Sequence, residues 1–237
     1  MPDSSGRTHG SAVAVTIAGV AIVSIWEFIG QRWNVLVPEA LLHASAVLQC
    51  TLIAAVLGVL LGVLVYRSPA GSAIATALTS AILTIPSFAL IGLLIPVLGL
   101  GVPPTVVALV LYGLLPIVRN TIVGLDGVDP AITDAARGIG MGRAVVLTRV
   151  ELRLAWPAIL AGIRVSTQLL MGIAAIAAYA KGPGLGTEIF SGLVRAGSAN
   201  ATNEALAGTL GVVVLALVVD GIYVIISRLT TSRGIRV

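Results

Sequence analysis

The residue types that usually carry chemistry are scarce in this chain and are not arranged for catalysis or metal binding. It has one cysteine, Cys50, and two histidines, His9 and His43, and neither histidine stands near the cysteine or a carboxylate at a metal-ligand spacing. No Gly-x-x-x-x-Gly-Lys-Ser/Thr phosphate-binding loop occurs. We therefore expect no catalytic residue, no metal and no cofactor in this chain.

Polar residues concentrate instead in one segment, residues 134–157, which reads DAARGIGMGRAVVLTRVELRLAWP. Its carboxylates are Asp134 and Glu151, in a chain of which only 10% of the residues are charged. Its four arginines are Arg137, Arg143, Arg149 and Arg153. Such a segment pairs with a partner surface by charge and hydrogen bonds, so it indicates a contact with something in the cytosol.

The rest of the chain is too apolar to be soluble. Hydrophobic residues make up 57% of it and the mean hydropathy is +1.07, whereas a soluble domain carries about 25% charged residues. The sequence pI is about 9.8, but aromatic residues are only 4%, which argues against a surface for stacking nucleic-acid bases. We predict an all-α polytopic membrane protein and no nucleic-acid partner.

A membrane-spanning helix needs roughly 20 apolar residues, and six segments qualify. They are residues 11–29, 45–66, 74–98, 105–123, 159–180 and 206–227. The third holds Pro86 and Pro96, so we expect it to be kinked or tilted. Repeated small residues in the second, Ala54, Gly58 and Gly62, predict a close helix contact.

The cationic residues set the orientation. With the N-terminus inside, only Arg32, Lys181 and Arg195 of the 14 Lys and Arg residues fall outside. This positive-inside bias predicts that both termini and the arginine-rich segment are cytosolic. The apolar core of the first span is followed by Trp26 and bulky residues rather than by a small-residue cleavage site, which favours a retained anchor over a cleaved signal peptide.

The spacing within the polar segment resembles a pattern of binding-protein-dependent ATP-binding-cassette importers. Their permease subunits carry Glu-Ala-Ala, three residues, Gly, nine residues, then Ile-x-Leu-Pro. Here the matching positions are Asp134, Ala135, Ala136, Gly140, Val150, Leu152 and Arg153. Aspartate, valine and arginine replace the glutamate, isoleucine and proline of the pattern.

Further stretches resemble the osmoprotectant branch of that family, which takes up glycine betaine, carnitine, choline and related quaternary amines. They are residues 82–90 (ILTIPSFAL), 108–121 (ALVLYGLLPIVRNT), 127–130 (GVDP) and 159–164 (ILAGIR). The resemblance covers roughly residues 45–227. It implies a type I importer permease (MetI-like) fold with cytosolic coupling helices, and it divides the chain into residues 1–40, a tail with an extra span, and 41–230, the transmembrane domain with its coupling loop at 124–158.

The same resemblance implies a role for the polar segment. Asp129-Pro130 fits a helix start, residues 131–139 and 144–154 should be two short helices, and Trp156-Pro157 should end the second. In the family these helices dock into the ATPase subunit, which implies that Asp134, Ala135, Ala136, Gly140, Val150 and Leu152 are the ATPase-coupling residues. The alternative is an amphipathic helix bound to lipid headgroups.

The solute path has weaker candidates. Asp220 lies inside the sixth span, where an acidic group could attract a cation or could simply pair with Arg228 or another arginine. Tyr112 and Tyr179 could offer ring faces to a quaternary amine or could be packing residues. After residues 181–186 we expect a short helix at 187–196 with Glu188 and Arg195 on its polar side, which could face the pore, meet the binding protein, or be a plain surface helix.

The resemblance implies a permease subunit that imports a quaternary-amine osmoprotectant by alternating access. It implies a separate ATPase that binds ATP and Mg, a second permease subunit (self or paralogue), an external binding protein and a bacterial cytoplasmic membrane. Three alternatives stay open: the same machine with an amino acid-like solute, an ion-coupled secondary transporter, and a non-transporting scaffold.

Overall fold

The computed structural model describes residues 25–198 and 200–230, and in these ranges it contains helices and no strand. Residues 25–31 are helical. The α-helices that follow are α1 (Trp33–Val65), α2 (Pro69–Thr84), α3 (Ser87–Leu98), α4 (Val102–Asp126), α5 (Pro130–Gly138), α6 (Arg143–Val146), α7 (Leu152–Ala177), α8 (Gly186–Val194) and α9 (Ala201–Thr230). A π-helical segment (Leu147–Glu151) joins α6 to α7, and a 3-10 turn (Ala178–Ala180) follows α7. The predicted all-α membrane fold is confirmed.

The number of spans differs from the predicted six. By length and composition four helices could cross a membrane, namely α1, α4, the continuous helix Arg143–Ala180 and α9, and the bent pair α2–α3 could be a fifth. The predicted first span, residues 11–29, lies outside the described residues as far as residue 24. Six spans are therefore not reached within the described part of the chain.

The second span begins twelve residues earlier than predicted. Helix α1 runs from Trp33 through Pro38 and includes two polar residues ahead of the predicted span, Glu39 and His43. Both side chains find tertiary partners: Glu39 accepts a hydrogen bond from the Thr187 hydroxyl at 3.1 Å, and the buried His43 ring lies 3.1 Å from the Met171 carbonyl oxygen. These partners lower the cost of placing the two polar side chains within the helix bundle.

The third span is broken rather than tilted. Helices α2 and α3 meet at 91°, where Pro86 supplies no backbone donor and precedes the first residue of α3. The Tyr112 hydroxyl of α4 donates to the carbonyl oxygen of Ile85 at this elbow. Pro96 lies near the end of α3 and does not break it.

Small residues bring α1, α4 and α7 into close contact around the core. A side chain added at Gly58 would meet Ile117 at 2.8 Å, and one at Gly62 would meet Thr121 at 2.6 Å. Residues Leu109, Leu170 and Met171 at the centre of this bundle are at most 1% exposed. The predicted close-packing stripe on the second span is thus confirmed, and its partner is α4.

Helix α9 lies at the edge of the bundle. Only 6% of the most apolar 18-residue stretch of α9 is buried, whereas the corresponding share is 44% for α4 and 56% for the helix that contains α7. The polar contacts of α9 include the ion pair between Asp220 and Arg164 of α7, at 2.6 Å.

Candidate coupling surface and solute path

The polar segment begins with α5, close to the predicted bounds. The Asp129 carboxylate accepts a hydrogen bond from the Ala131 backbone N–H at 2.8 Å, and Pro130 occupies the first helical turn. The carboxylate satisfies one of the free backbone N–H groups at the start of the helix, and proline fits there because it has no N–H group that needs a partner. The sequence-predicted start of the first coupling helix is confirmed.

Gly140 ends α5 through a specific backbone geometry. Its φ is +89°, its N–H donates to the Arg137 carbonyl at 2.9 Å, and the Met141 N–H donates to the Ala136 carbonyl at 3.1 Å. This pair of bonds is a Schellman C-cap, which favours glycine at the left-handed position. A Cβ at Gly140 would meet no heavy atom within 4 Å, so the backbone angle and not a lack of space requires the glycine.

One face of α5 is left open by the rest of the chain. Ile132 is 45% exposed and Ile139 is 77% exposed, and exposed Ala135 lies between them at helical spacing. Asp134 is exposed and pairs with Arg137 at 3.1 Å. Of the predicted coupling residues in α5, Asp134 and Ala135 therefore lie on the open surface.

Ala136 lies beside this open face, on the side of α5 that is buried together with Thr133. It is 7% exposed and packs against this chain, where a small residue allows a close approach. Its expected role in docking therefore stays a prediction, as does that of the other five positions.

The second predicted short helix does not exist as a separate element. A single helix runs from Arg143 to Ala180, so Trp156-Pro157 does not end it, and that expectation was wrong. The Trp156 indole N–H donates to the Thr230 hydroxyl at 2.9 Å, and neighbouring Ala155 and Ile159 are buried. Packing on both sides of the proline keeps the helix continuous at the cost of one backbone hydrogen bond.

Val150 and Leu152 are partly buried. Leu152 packs against the cluster of Leu125, Ala155 and Ile159 where α4 and α7 meet. It therefore fixes the polar segment to the spanning helices, whereas Asp134 and Ala135 face outward.

Glu151 is a site residue that the sequence-based reasoning missed. It is 5% exposed and accepts hydrogen bonds from the Tyr66 hydroxyl at 2.8 Å and from Arg67 at 3.2 Å. Burial and this hydrogen bond raise the pKa of Tyr66. The three side chains tie the polar segment to the end of α1, and the only sequence signal was a lone acid between apolar residues.

The path candidate Asp220 is paired within the bundle. Both of its oxygens accept hydrogen bonds from Arg164, each at 2.6 Å, and Gln168 donates to it at 3.3 Å. The group borders an open cavity of about 420 Å³ that Tyr223 also lines. Of the alternatives left open, the structure supports the arginine pair, with Arg164 as the partner.

The two tyrosine candidates lie in different environments. Tyr112 is 2% exposed, whereas Tyr179 is 54% exposed and contacts the rings of Phe88 and Phe190. Tyr179 follows Arg164 by fifteen residues, about 22 Å along a helix. The structure therefore does not bring Asp220 and Tyr179 together, and it adds two phenylalanines to the tyrosine.

At the other end of the bundle from α5, the predicted short helix appears as α8. Glu188 does not lie on an exposed polar side as expected, because it is 6% exposed and pairs with Arg32 at 3.1 Å. Burial raises the pKa of Glu188, and the Arg32 charge opposes that shift. Arg32 and Arg195 also pair with the buried Glu204, so this cluster joins the start of α1 to α8 and α9.

No group of three or more histidine, cysteine, aspartate or glutamate side chains within residues 25–198 and 200–230 is placed to hold a metal ion. Apart from Asp134–Arg137 within α5, the ion pairs described above join different elements of the fold.

Comparison with known proteins points to one family. Residues 54–232 match the family described as binding-protein-dependent transport system inner membrane component. The choline transport system permease protein OpuBB of Bacillus subtilis is 40% identical over 190 residues, which is 78% of this chain and 86% of that protein.

Two further relatives have related names. The glycine betaine/carnitine/choline transport system permease protein OpuCB of B. subtilis is 36% identical, over 84% of this chain and 91% of that protein. The osmoprotectant import permease protein OsmW of Salmonella typhimurium is 39% identical, over 78% of this chain and 86% of that protein.

The fold is similar to that of a chain in the inward-facing MetNI methionine ABC transporter. The TM-score is 0.72 at 21% identity, and the match covers 85% of this chain and 99% of that chain. The expected MetI-like fold is confirmed.

Proposed function

The chain belongs to the family of binding-protein-dependent transport system inner membrane components, and we propose that it forms the membrane path of an ATP-driven importer for a quaternary-ammonium osmoprotectant. The observation that carries the proposal is α5. This short helix is exposed, capped at both ends and tied to the spanning helices, at the position where the sequence pattern of importer permeases expects a coupling helix.

The substrate class follows from the relatives. The names of the three relatives described above refer to choline, glycine betaine, carnitine or osmoprotectants. The first three are quaternary ammonium compounds, so we propose this class over other amino acid-like solutes.

An ion-coupled secondary transporter is a poorer fit. Such a transporter needs ion ligands within the membrane, and the best candidate, Asp220, has both oxygens held by Arg164. A cation would have to displace the guanidinium group to reach this carboxylate.

Transport through this chain would need several partners. A separate ATPase would bind ATP and Mg and dock on α5, with Ile132, Ala135 and Ile139 offering an apolar stripe and Asp134 a charge. An external protein would deliver the solute, and a second copy or a paralogue would complete the path. The machine would sit in a bacterial cytoplasmic membrane with both termini of this chain in the cytosol.

The polar segment would transmit force by rigid contacts. Closure of the ATPase would move α5, and the tether of Glu151 to Tyr66 and Arg67 would carry that movement to α1. Leu152, packed where α4 and α7 meet, would carry it to those helices. Small shifts at a packed junction are passed on because packed helices deform little.

The test is reconstitution in proteoliposomes with a partner ATPase and an external binding protein. We expect uptake of choline, glycine betaine or carnitine only with ATP on the ATPase side. Uptake that follows an imposed proton or sodium gradient without the ATPase would refute the proposal, and liposomes with a hydrolysis-deficient ATPase are the matched control.

A further inference from the structure

Three aromatic rings from separate parts of the chain meet at one place. They are Phe88 in the first turn of α3, Tyr179 in the turn after α7, and Phe190 in α8. The ring centroids of Phe88 and Tyr179 are 4.3 Å apart at an interplanar angle of 39°, and those of Tyr179 and Phe190 are 6.1 Å apart at 48°. The chain has only ten aromatic residues (three Trp, four Tyr and three Phe), so this aromatic triad holds nearly a third of them.

The triad is open to a ligand. Phe88 is 48% exposed and Tyr179 is 54% exposed, while Phe190 is partly buried. About half of the Phe88 and Tyr179 surface is therefore accessible to a ligand. An aromatic face carries the negative part of the ring quadrupole, so this surface attracts cations without carrying a formal charge.

The triad also lies at the break in the third span. Phe88 is two residues beyond Pro86, where α2 and α3 meet at 91°, and the hydrogen bond from Tyr112 to the Ile85 carbonyl holds the elbow. In secondary transporters, interrupted spanning helices often form the substrate site, and a broken span can serve the same purpose in another transporter class. The position of the rings is therefore one at which a solute could be bound within the membrane domain.

Two carboxylates of the spanning helices, Asp220 and Glu204, are already neutralised by arginines. Asp220 pairs with Arg164, and Glu204 pairs with Arg32 and with Arg195. A cationic solute would have to break one of these pairs to use them. The ring faces of the triad attract a cation without that cost.

We infer that Phe88, Tyr179 and Phe190 form a binding site for the quaternary ammonium head of the transported solute. This inference rests on the proposed function and extends it to named residues of this chain. A quaternary ammonium group has no N–H to donate, so it gains nothing from hydrogen-bond acceptors and binds best against aromatic faces. The competing explanation is that the rings anchor the helix ends in the lipid interface, as membrane aromatics often do.

The test measures choline binding to the permease–ATPase complex in nanodiscs without the binding protein. Saturation transfer from the protein to the choline methyl protons gives a dissociation constant for the wild type and variants. We expect Tyr179→Ala and Phe88→Ala each to weaken binding by roughly tenfold, the range of one desolvated cation–π contact. Tyr179→Phe should keep most of the affinity, since it retains the ring.

Two controls separate cation binding from general effects. Trp33→Ala removes an aromatic ring that is 64% exposed and lies outside the triad, and it should leave choline binding unchanged. The neutral isostere 3,3-dimethylbutan-1-ol should compete weakly with choline at the wild-type site. Equal competition by the isostere, or unaltered choline binding in the Ala variants together with lowered thermal stability, would overturn the inference in favour of a lipid anchor.

Uptake measured on the same complexes tests the proposed function separately. ATP-dependent uptake with normal choline binding in the triad variants refutes the site and leaves the proposed function standing. Absence of ATP-dependent uptake in the wild type refutes the proposed function, while the binding series still decides whether the triad binds a quaternary amine.

Discussion

Gly140→Ala should loosen the end of α5 without creating a steric clash. The backbone at Gly140 has φ +89°, and this left-handed geometry costs an L-residue roughly 1–2 kcal/mol. Replacing glycine returns about 0.4–1 kcal/mol by restricting the unfolded chain. The net cost of about 1 kcal/mol makes the capped end roughly fivefold less populated relative to the open end.

Two assays check this magnitude. The Gly140 and Met141 amides donate the capping hydrogen bonds, so the amides of residues 140 and 141 should exchange with deuterium about fivefold faster in the variant. If α5 is the coupling helix, the number of ATP molecules hydrolysed per imported solute should also rise. Membrane insertion and yield should be unchanged, since the site is exposed.

A series of substitutions isolates the backbone angle as the cause. Asparagine tolerates the left-handed region better than alanine, and β-branched valine tolerates it worst, so exchange should increase from Gly through Asn and Ala to Val. Gly138→Ala and Gly142→Ala are matched controls, because neither has a positive φ and a Cβ at either would meet no heavy atom within 4 Å. Equal effects of alanine at positions 138, 140 and 142 would refute the argument.

Three further predictions concern the charged clusters. Glu151→Gln should weaken coupling more than Tyr66→Phe, because only the first substitution removes the charge. The measurement is the number of ATP molecules hydrolysed per imported solute, and equal effects of the two substitutions would contradict a charge-based tether. Asp220→Asn should lower the thermal stability more than the double variant Asp220→Leu/Arg164→Met does. The single change leaves the Arg164 guanidinium unpaired in the membrane, whereas the double change removes both charges. A double variant with a lower melting temperature than the single variant would contradict this. Because the folded-state pKa of Glu188 is raised above the ordinary value of 4.5, its contribution is largest below pH 4.5 and is lost as the pH rises through the folded-state pKa. As the pH rises through this range, the melting temperature of Glu188→Gln should fall less than that of the wild type. The same pH dependence of the melting temperature in both proteins would contradict this role of Glu188.

Local patterns were enough to predict three of the spans and the first short helix of the polar segment. Twenty-residue apolar runs located α4, α7 and α9 because lipid requires every backbone group to be bonded within a helix. Asp129-Pro130 and Gly140 marked the two ends of α5 because capping involves neighbours only a few residues apart. Both signals are local, so the tertiary structure did not alter them.

Predictions failed where a polar or helix-breaking residue found a distant partner. The second span was predicted to begin at residue 45, yet α1 continues through Glu39 and His43, which contact α8 and α7. Trp156-Pro157 suggested a helix end, yet the bond from Trp156 to Thr230 and the buried neighbours keep the helix continuous. The sequence does not record which residue lies across the bundle, and that partner decides whether a polar group can be buried.

The sequence by itself determined the membrane class, the family pattern and the ends of α5, because these depend on composition and on short-range spacing. Only the tertiary structure decided the charge partners and the ring contacts. It paired Asp220 with Arg164, 56 residues apart, and Glu151 with Tyr66, 85 residues apart. It also brought Phe88 and Phe190 to Tyr179, because the energy of an ion pair or a ring contact depends on distance in space, and helix packing sets that distance.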